Sequence, residues 1–325
     1  MSACAYPDAV TQPTGFSPRL VRGVLLANLV AQVGIVVTGG LVRLTGSGLG
    51  CPTWPECVPG SYIPVVRQPQ GYHKDIEFTN RMLTFLVGLA AVAALVVMIR
   101  AFRSGAAGRG LMALGCVPLL GVVAQAMLGG LTVLTGLSPG TVAAHLLLSM
   151  SLIAASTVLF LHAPGSRRPG GPPVHRDVRR LGWAVAAVGA VVIGLGTVVT
   201  GSGPHSGDAH APARFGIDPR SAAWVHADAV WLFVGLVVAL VVALRATGAS
   251  PVARQRSVIL LGVTLAQGVI GYAQYFTGLP IPLVALHLLG ASLLVIAITA
   301  TVDAMAGPAE DNRPAPTPIA VSEPR

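Results

Sequence analysis

Three of the eight histidines in the chain, His145, His226 and His287, lie inside long apolar runs. An imidazole in hydrocarbon is costly, and such groups mark functional sites by default. Each falls about four to six residues after its run begins, about 6–9 Å below the surface at helical rise. Two imidazoles at matched depth on neighbouring parallel helices can hold one planar metal cofactor between them, and in an apolar bundle haem fits that description. His226 and His287 form such a pair. Zinc would need a third or fourth ligand, and no nearby Cys or carboxylate cluster supplies one. A lone histidine has a blander reading, a neutral ring bonded to the next helix.

His145 has no obvious mate. The stretch that corresponds to the region of His226 reads Ile76-Glu77-Phe78-Thr79-Asn80-Arg81. Glu77, Asn80 and Arg81 share one helix face by their spacing. Two readings stand for it. Glu77 and Arg81 form an interfacial ion pair of little energetic worth, or Glu77 is a carboxylate at the mouth of a second haem-sized pocket whose other wall carries His145. One imidazole leaves iron an open or weakly held sixth position, which suits chemistry; two suit electron transfer. The asymmetry suggests an electron-handling half and a reacting half. Cys51-Pro52-Thr53-Trp54-Pro55-Glu56-Cys57 places two thiols in the same region. On an oxidising face they can form a disulfide, either a structural staple or a redox-active pair. Cys4 and Cys116 have no evident partner. His73, His205 and His210 fall in loops, and His162 and His175 at helix ends.

The elements that must position these residues are membrane helices. Of 325 residues, 53% are hydrophobic and 10% charged, against about 25% charged in a soluble domain. That excludes a disordered chain, a disulfide-rich secreted domain and an ordinary soluble enzyme. Eight apolar runs, 20–42, 77–99, 110–134, 140–162, 180–200, 222–244, 256–276 and 282–304, are each long enough to cross about 30 Å of hydrocarbon. The fold class is an all-α membrane protein of eight transmembrane helices. No cleavable signal peptide is expected. The net charge of +9 is carried mainly by arginines in short connections, an orientation signal and not a nucleic-acid footprint. It predicts both termini on the cytoplasmic side, with long extracytoplasmic loops at 43–76 and 201–221.

The chain also repeats itself. Gln125, Gly129, Thr135-Gly136-Leu137 and His145 recur as Gln267, Gly271, Thr277-Gly278-Leu279 and His287, each 142 residues later. The expected units are therefore two tandem pseudo-symmetric four-helix bundles, 20–162 and 180–304, pointing the same way across the membrane. Around them lie an N-terminal tail 1–19, a cytoplasmic linker 163–179 and a Pro-rich disordered tail 305–325.

Taken together, the run from Gly39 through Arg43-Leu44-Thr45-Gly46-Ser47-Gly48 to Cys51-Pro52-Thr53-Trp54-Pro55-Glu56-Cys57, the stretch Ile76 to Arg81 and the spaced histidines resemble the haem A synthase family of membrane oxidoreductases over roughly residues 20–300. The resemblance implies oxidation of the C8 methyl of haem O to a formyl group through hydroxylated intermediates, making haem A for aa3-type terminal oxidases. It implies a haem b cofactor between His226 and His287, a substrate haem on His145, and an essential glutamate at Glu77. Many bacterial members carry the cysteine pair. It also implies a multi-pass cell-membrane protein, with haem O synthase and oxidase assembly factors as candidate partners beside the lipid bilayer. The departure is Asn80, where many members have a histidine. Either His145 is the sole protein ligand, the favoured reading, or a group such as His73 swings in. Arg43, Arg81, Arg214 and Arg220 are candidate propionate partners.

Two other classes compete with this reading. A non-enzymatic di-haem electron-transfer cytochrome predicts four core histidines, where this chain offers three. A transporter built on the repeat predicts a polar site at midplane, whereas the polar residues cluster near one face, with Gln32, Gln125 and Gln267 the deeper exceptions.

Overall fold

A computed structural model describes residues 16–165, 174–208 and 213–306. The expectations for the two tails beyond residues 16 and 306, for Cys4, for His210 and for Arg167, Arg168, Arg313 and Arg325 lie outside the described residues. Eight helices follow one another: α1 (Pro18–Leu44), α2 (His73–Arg103), α3 (Arg109–Leu134), α4 (Pro139–Leu161), α5 (Arg176–Ser202), α6 (Pro219–Ala246), α7 (Pro251–Phe276) and α8 (Ile281–Met305). All eight are long and apolar enough to span a bilayer, so the chain is a multi-pass membrane protein. Spanning segments must satisfy their backbone internally, and helices do so.

The ends are set by local chemistry. Ser17 Oγ accepts from the Leu20 N–H at 3.2 Å, Ser250 Oγ caps α7, and α1, α4, α6, α7 and α8 each carry proline in the first turn, where its missing N–H costs nothing. Asp218 caps α6; the N–H and hydroxyl of Ser221 donate to it and hold its carboxyl below the usual range. The α3–α4 and α7–α8 connections are the same turn. Gly136 and Leu137 take φ of 60° and 59°, and Gly278 and Leu279 take 79° and 60°. The Leu137 N–H returns to the Thr132 carbonyl and the Leu279 N–H to that of Gln274, a left-handed helix closure.

The helices run a few residues past the apolar runs. α7 begins five residues early, at Pro251 and not at 256, and α2 four residues early, at His73 and not at 77, so the connection before α2 is shorter than 43–76. Asp75 in the first turn favours the added turn through the helix dipole. His73 is therefore a helical residue and not a loop residue, its Nδ1 held 2.8 Å from Ser47 Oγ.

α1, α2, α3 and α4 pack in a closed ring, each on the next and α4 back on α1. α5 to α8 do the same. The groups meet where α8 packs on α1 and α4, and α4 on α5. Three apolar clusters fill the half of the molecule nearer the chain termini. Val21, Leu25, Met98 and Leu159 pack in one ring, Val185, Phe233, Leu240 and Leu260 in the other, and Leu29, Met150, Ile153 and Val295 along the seam. Polar ties join the rings at both ends. Near the termini, Asp303 of α8 binds His162 and Arg256. At the opposite end the Gly48 N–H donates to the Gly207 carbonyl at 2.8 Å, and Arg43 donates to the Thr200 carbonyl at 2.6 Å.

The seam is close-packed. A Cβ on Gly40 of α1 would lie 2.2 Å from Leu288 Cδ2 of α8, whereas Gly34 faces open space. Gly40→Val is expected to cost about 1–3 kcal/mol by overpacking and to lower the thermal midpoint in detergent, with Gly34→Ala near wild type. Equal midpoints would show that the seam yields.

Candidate functional site

Glu77 stands on the second turn of α2, buried to 6% exposure. Its Oε2 accepts the Cys51 N–H at 2.7 Å, and its Oε1 accepts from Arg81 Nη2 at 2.6 Å and Nε at 3.1 Å. Arg81 also donates to the carbonyls of Cys51, Thr53 and Glu56. The pair expected from the i, i+4 spacing thus exists, but it is no solvated surface bridge. It clamps the 51–57 loop to α2: four of its six hydrogen bonds are with loop backbone and two lie within the pair. Arg81 is thus a partner of Glu77 and of the loop. Cys51 and Cys57 form a disulfide with both residues fully buried. Trp54, between them, lays its ring on Gly130 of α3, where a Cβ would lie 2.4 Å from it. Glu77 therefore lies beneath a lid and not at an open mouth.

Under this lid a cavity of about 2210 Å³ runs through both helix rings, larger than the roughly 300–1,000 Å³ of a single small-molecule site. His145, His226 and His287 all line it, as do Glu77, Asn80 and Arg43. The three histidines stand six, seven and six residues into α4, α6 and α8, so their depths match as expected. One expectation is corrected. α6 and α8 are not neighbours; they are diagonal members of their ring and do not pack on each other. α2 and α4 are diagonal in the other. Adjacent helix axes stand about 8–10 Å apart, so a diagonal gives about 11–14 Å, which leaves room between the side chains for a flat group.

Each ring also has a glycine behind it. His145 Cε1 faces Gly129, His226 Cε1 faces Gly196 and His287 Cε1 faces Gly271, each 3.4–3.5 Å from where a Cβ would sit. Asn80 faces Gly39 in the same way, with Nδ2 at 3.8 Å. The arrangement recurs four times: α2 on α1, α4 on α3, α6 on α5, α8 on α7. The glycines were not singled out from sequence as ring seats; the shared Gly129/Gly271 spacing was the available signal. Gln125 and Gln267, expected to cross-link helices, do so by donating to the His145 and His287 carbonyls at 3.0 and 2.9 Å.

Buried polar atoms without partners are rare in proteins and call for an explanation. Twelve side-chain atoms here are of this kind among the described residues, and ten of them belong to residues lining the cavity. They include Nδ1 of all three histidines, Oδ1 of Asn80 and Nε of Arg43. With Nδ1 enclosed, Nε2 of each imidazole is the nitrogen open to the cavity. A flat apolar group with a metal at its centre and polar substituents at its rim fits this lining. His73 does not reach it. His205 Nε2 donates to the Leu279 carbonyl, Arg214 lies against the Pro204 carbonyl, and Arg220 is exposed. Cys116 Sγ lies on the Met112 carbonyl.

Residues 22–299 match the model of the COX15-CtaA family, described as cytochrome oxidase assembly protein. The chain belongs to this family. Among its relatives, a protein of Rhizorhabdus wittichii named haem A synthase is 29% identical, aligned over 92% of this chain and 96% of its own length. One of the same name from Brucella anthropi is 28% identical over 83% and 87%. Another, from Lysinibacillus sphaericus, is 33% identical over 44% of each chain. The family match reaches into all eight helices and includes Asn80, His145, His226 and His287.

The clamp has a measurable consequence. Arg81→Leu leaves a buried carboxylate without its cation, a change worth several kcal/mol in comparable sites. Backbone amide exchange across 51–57 is expected to accelerate at least tenfold while the disulfide remains intact by mass. Unchanged exchange would mean that the loop is held by the disulfide alone.

Proposed function

We propose that this chain is a haem A synthase, an oxidoreductase that converts the C8 methyl of haem O to the formyl group of haem A in the cell membrane, with both termini cytoplasmic. The observation that carries the reading is the pair of diagonals, His226–His287 and Asn80–His145, each seated on glycine in one apolar cavity. Family membership and the haem A synthase name of full-length relatives support it. A Thermus thermophilus protein named protohaem IX farnesyltransferase is 32% identical to this chain over 29% of its own length; we take this to favour a haem O synthase as the partner that delivers substrate.

In this reading the chain is two four-helix units. His226 and His287 hold haem b, which supplies electron relay when bound. His145 holds the substrate haem in the first unit. Gln125 and Gln267 fix the backbone of the ligand helices by their bonds to the His145 and His287 carbonyls. Arg43, whose Nε is unpartnered at the seam, offers a charge-assisted bond to a propionate. Glu77 is the acid–base group nearest the lid: its carboxylate can take a proton as the methyl is oxidised, or stabilise positive charge there. Arg81 and the Cys51 N–H keep it in one orientation. The disulfide loop excludes water above it. A non-enzymatic di-haem cytochrome is disfavoured, because the first diagonal ends in the carboxamide of Asn80, and His205, the fourth histidine on the cavity lining, is spent on the Leu279 carbonyl.

The reading is tested by expressing the chain with a source of haem O and identifying extracted haems by mass. Haem A is expected, and a carrier would leave haem O unchanged. Glu77→Gln is expected to keep the bound haem b spectrum and lower conversion at least a hundredfold; near-normal conversion would remove Glu77 from its role. His226→Ala or His287→Ala is expected to abolish the low-spin haem spectrum, and Cys51→Ser to preserve it. A low-spin spectrum that survives both histidine changes would end the cofactor assignment.

A further inference from the structure

The four glycine seats give Asn80 a place that its residue type alone does not. Gly39 stands to Asn80 as Gly196 stands to His226, and Asn80 is diagonal to His145 as His226 is to His287. Asn80 thus occupies the seat of an imaginable fourth imidazole and presents a carboxamide instead. Haem iron is held by imidazole, thiolate, thioether or phenolate, and a carboxamide belongs to none of these. It is also shorter than an imidazole, so it leaves a gap about the size of a small molecule where a ring nitrogen would stand. What the carboxamide does offer is two N–H donors and an oxygen acceptor. Asn80 lines the cavity and its Oδ1 is buried without a partner, an arrangement that costs about 1–3 kcal/mol unless a guest, or a turn of the amide toward one, supplies the missing bond.

Other groups nearby are already engaged. Glu77 and Arg81 are bound to each other and to the lid. His73 is held by Ser47 at the start of α2 and lies outside the cavity lining. Among the described residues of α2, Asn80 is the one seated on a glycine of α1.

We propose that Asn80 is the hydrogen-bonding partner of a small exogenous molecule on the open face of the haem held by His145, and not a ligand of its iron. The distal polarity of a haem pocket decides what binds there and what becomes of it. The chain thereby carries one coordinatively closed haem and one that admits a water-sized guest selected by a carboxamide. This deepens the proposed function and rests on its placement of a haem on His145.

The test uses the full-length protein in detergent, loaded with ferric haem, with azide as the guest, read by optical and electron paramagnetic resonance spectra. Wild type is expected to show one low-spin haem indifferent to azide and one high-spin haem that binds it. Asn80→His should convert the second haem to low spin and abolish azide binding. Asn80→Leu should keep it high spin and weaken azide by about threefold to tenfold, the worth of one hydrogen bond. Asn80→Ser, a smaller change that spares packing, should weaken it in the same direction. Wild-type azide affinity in both Leu and Ser variants overturns the role of Asn80 while leaving the haem site standing. A second haem that is already low spin and lost in His73→Ala overturns it too, in favour of a swinging histidine. If His145→Ala retains both haems, the placement on His145 fails and the proposal with it.

Discussion

The separation between diagonal helices in a ring of four is the constraint on which the rest depends. Neighbouring helices close on each other until their side chains interlock, and only small residues let backbones approach further. Diagonal helices are kept apart by the two between them. In both rings the interior is filled mainly by Val, Leu, Met and Phe on the side of the termini, while on the other side it is left hollow. The functional side chains stand at that transition, where a side chain of one diagonal helix looks toward its opposite across the gap.

The glycines behind the imidazoles and behind Asn80 complete this geometry. A Cβ at Gly196 or Gly271 would stand in ordinary van der Waals contact with the ring, about 3.4–3.5 Å away, so residues larger than alanine would press on it. Backbone packing on these glycines thus helps to decide which ring nitrogen remains accessible. Orphaned Nδ1 atoms, costly in hydrocarbon, are tolerated at this place because the helices around them are held by bonds made elsewhere. Those bonds include Gln125 and Gln267 to the histidine carbonyls, Asn28 to Ser156 and Arg43 to Thr200.

Much of this was legible in the sequence. The number and order of helices follow from hydropathy alone, because hydrocarbon admits few alternatives. The matched depth of His145, His226 and His287 follows from counting residues after each run. The α2 start was misread by four residues because His73-Lys74-Asp75 is polar, and apolar content does not register a helical turn at the membrane surface. The diagonal relation of α6 to α8 was also out of reach, since parallel direction and equal depth do not say which helix stands beside which. Glu77 and Arg81 were visible as a pair by spacing, but their grip on the 51–57 loop depends on carbonyls of a segment with no regular structure, and no periodicity announces that. The Trp54–Gly130 contact is hidden for the same reason.

Gly40 and Leu288 meet at the seam, and each is the immediate chain neighbour of a slot residue: Gly39, behind Asn80, and His287. The parts of the cavity in the two rings consequently meet at a contact one residue thick on each helix. A shift of α1 that enlarges one part is felt as pressure on the helix carrying His287 in the other, so the two parts are mechanically geared, and neither can be reshaped by substitution as though the other were absent.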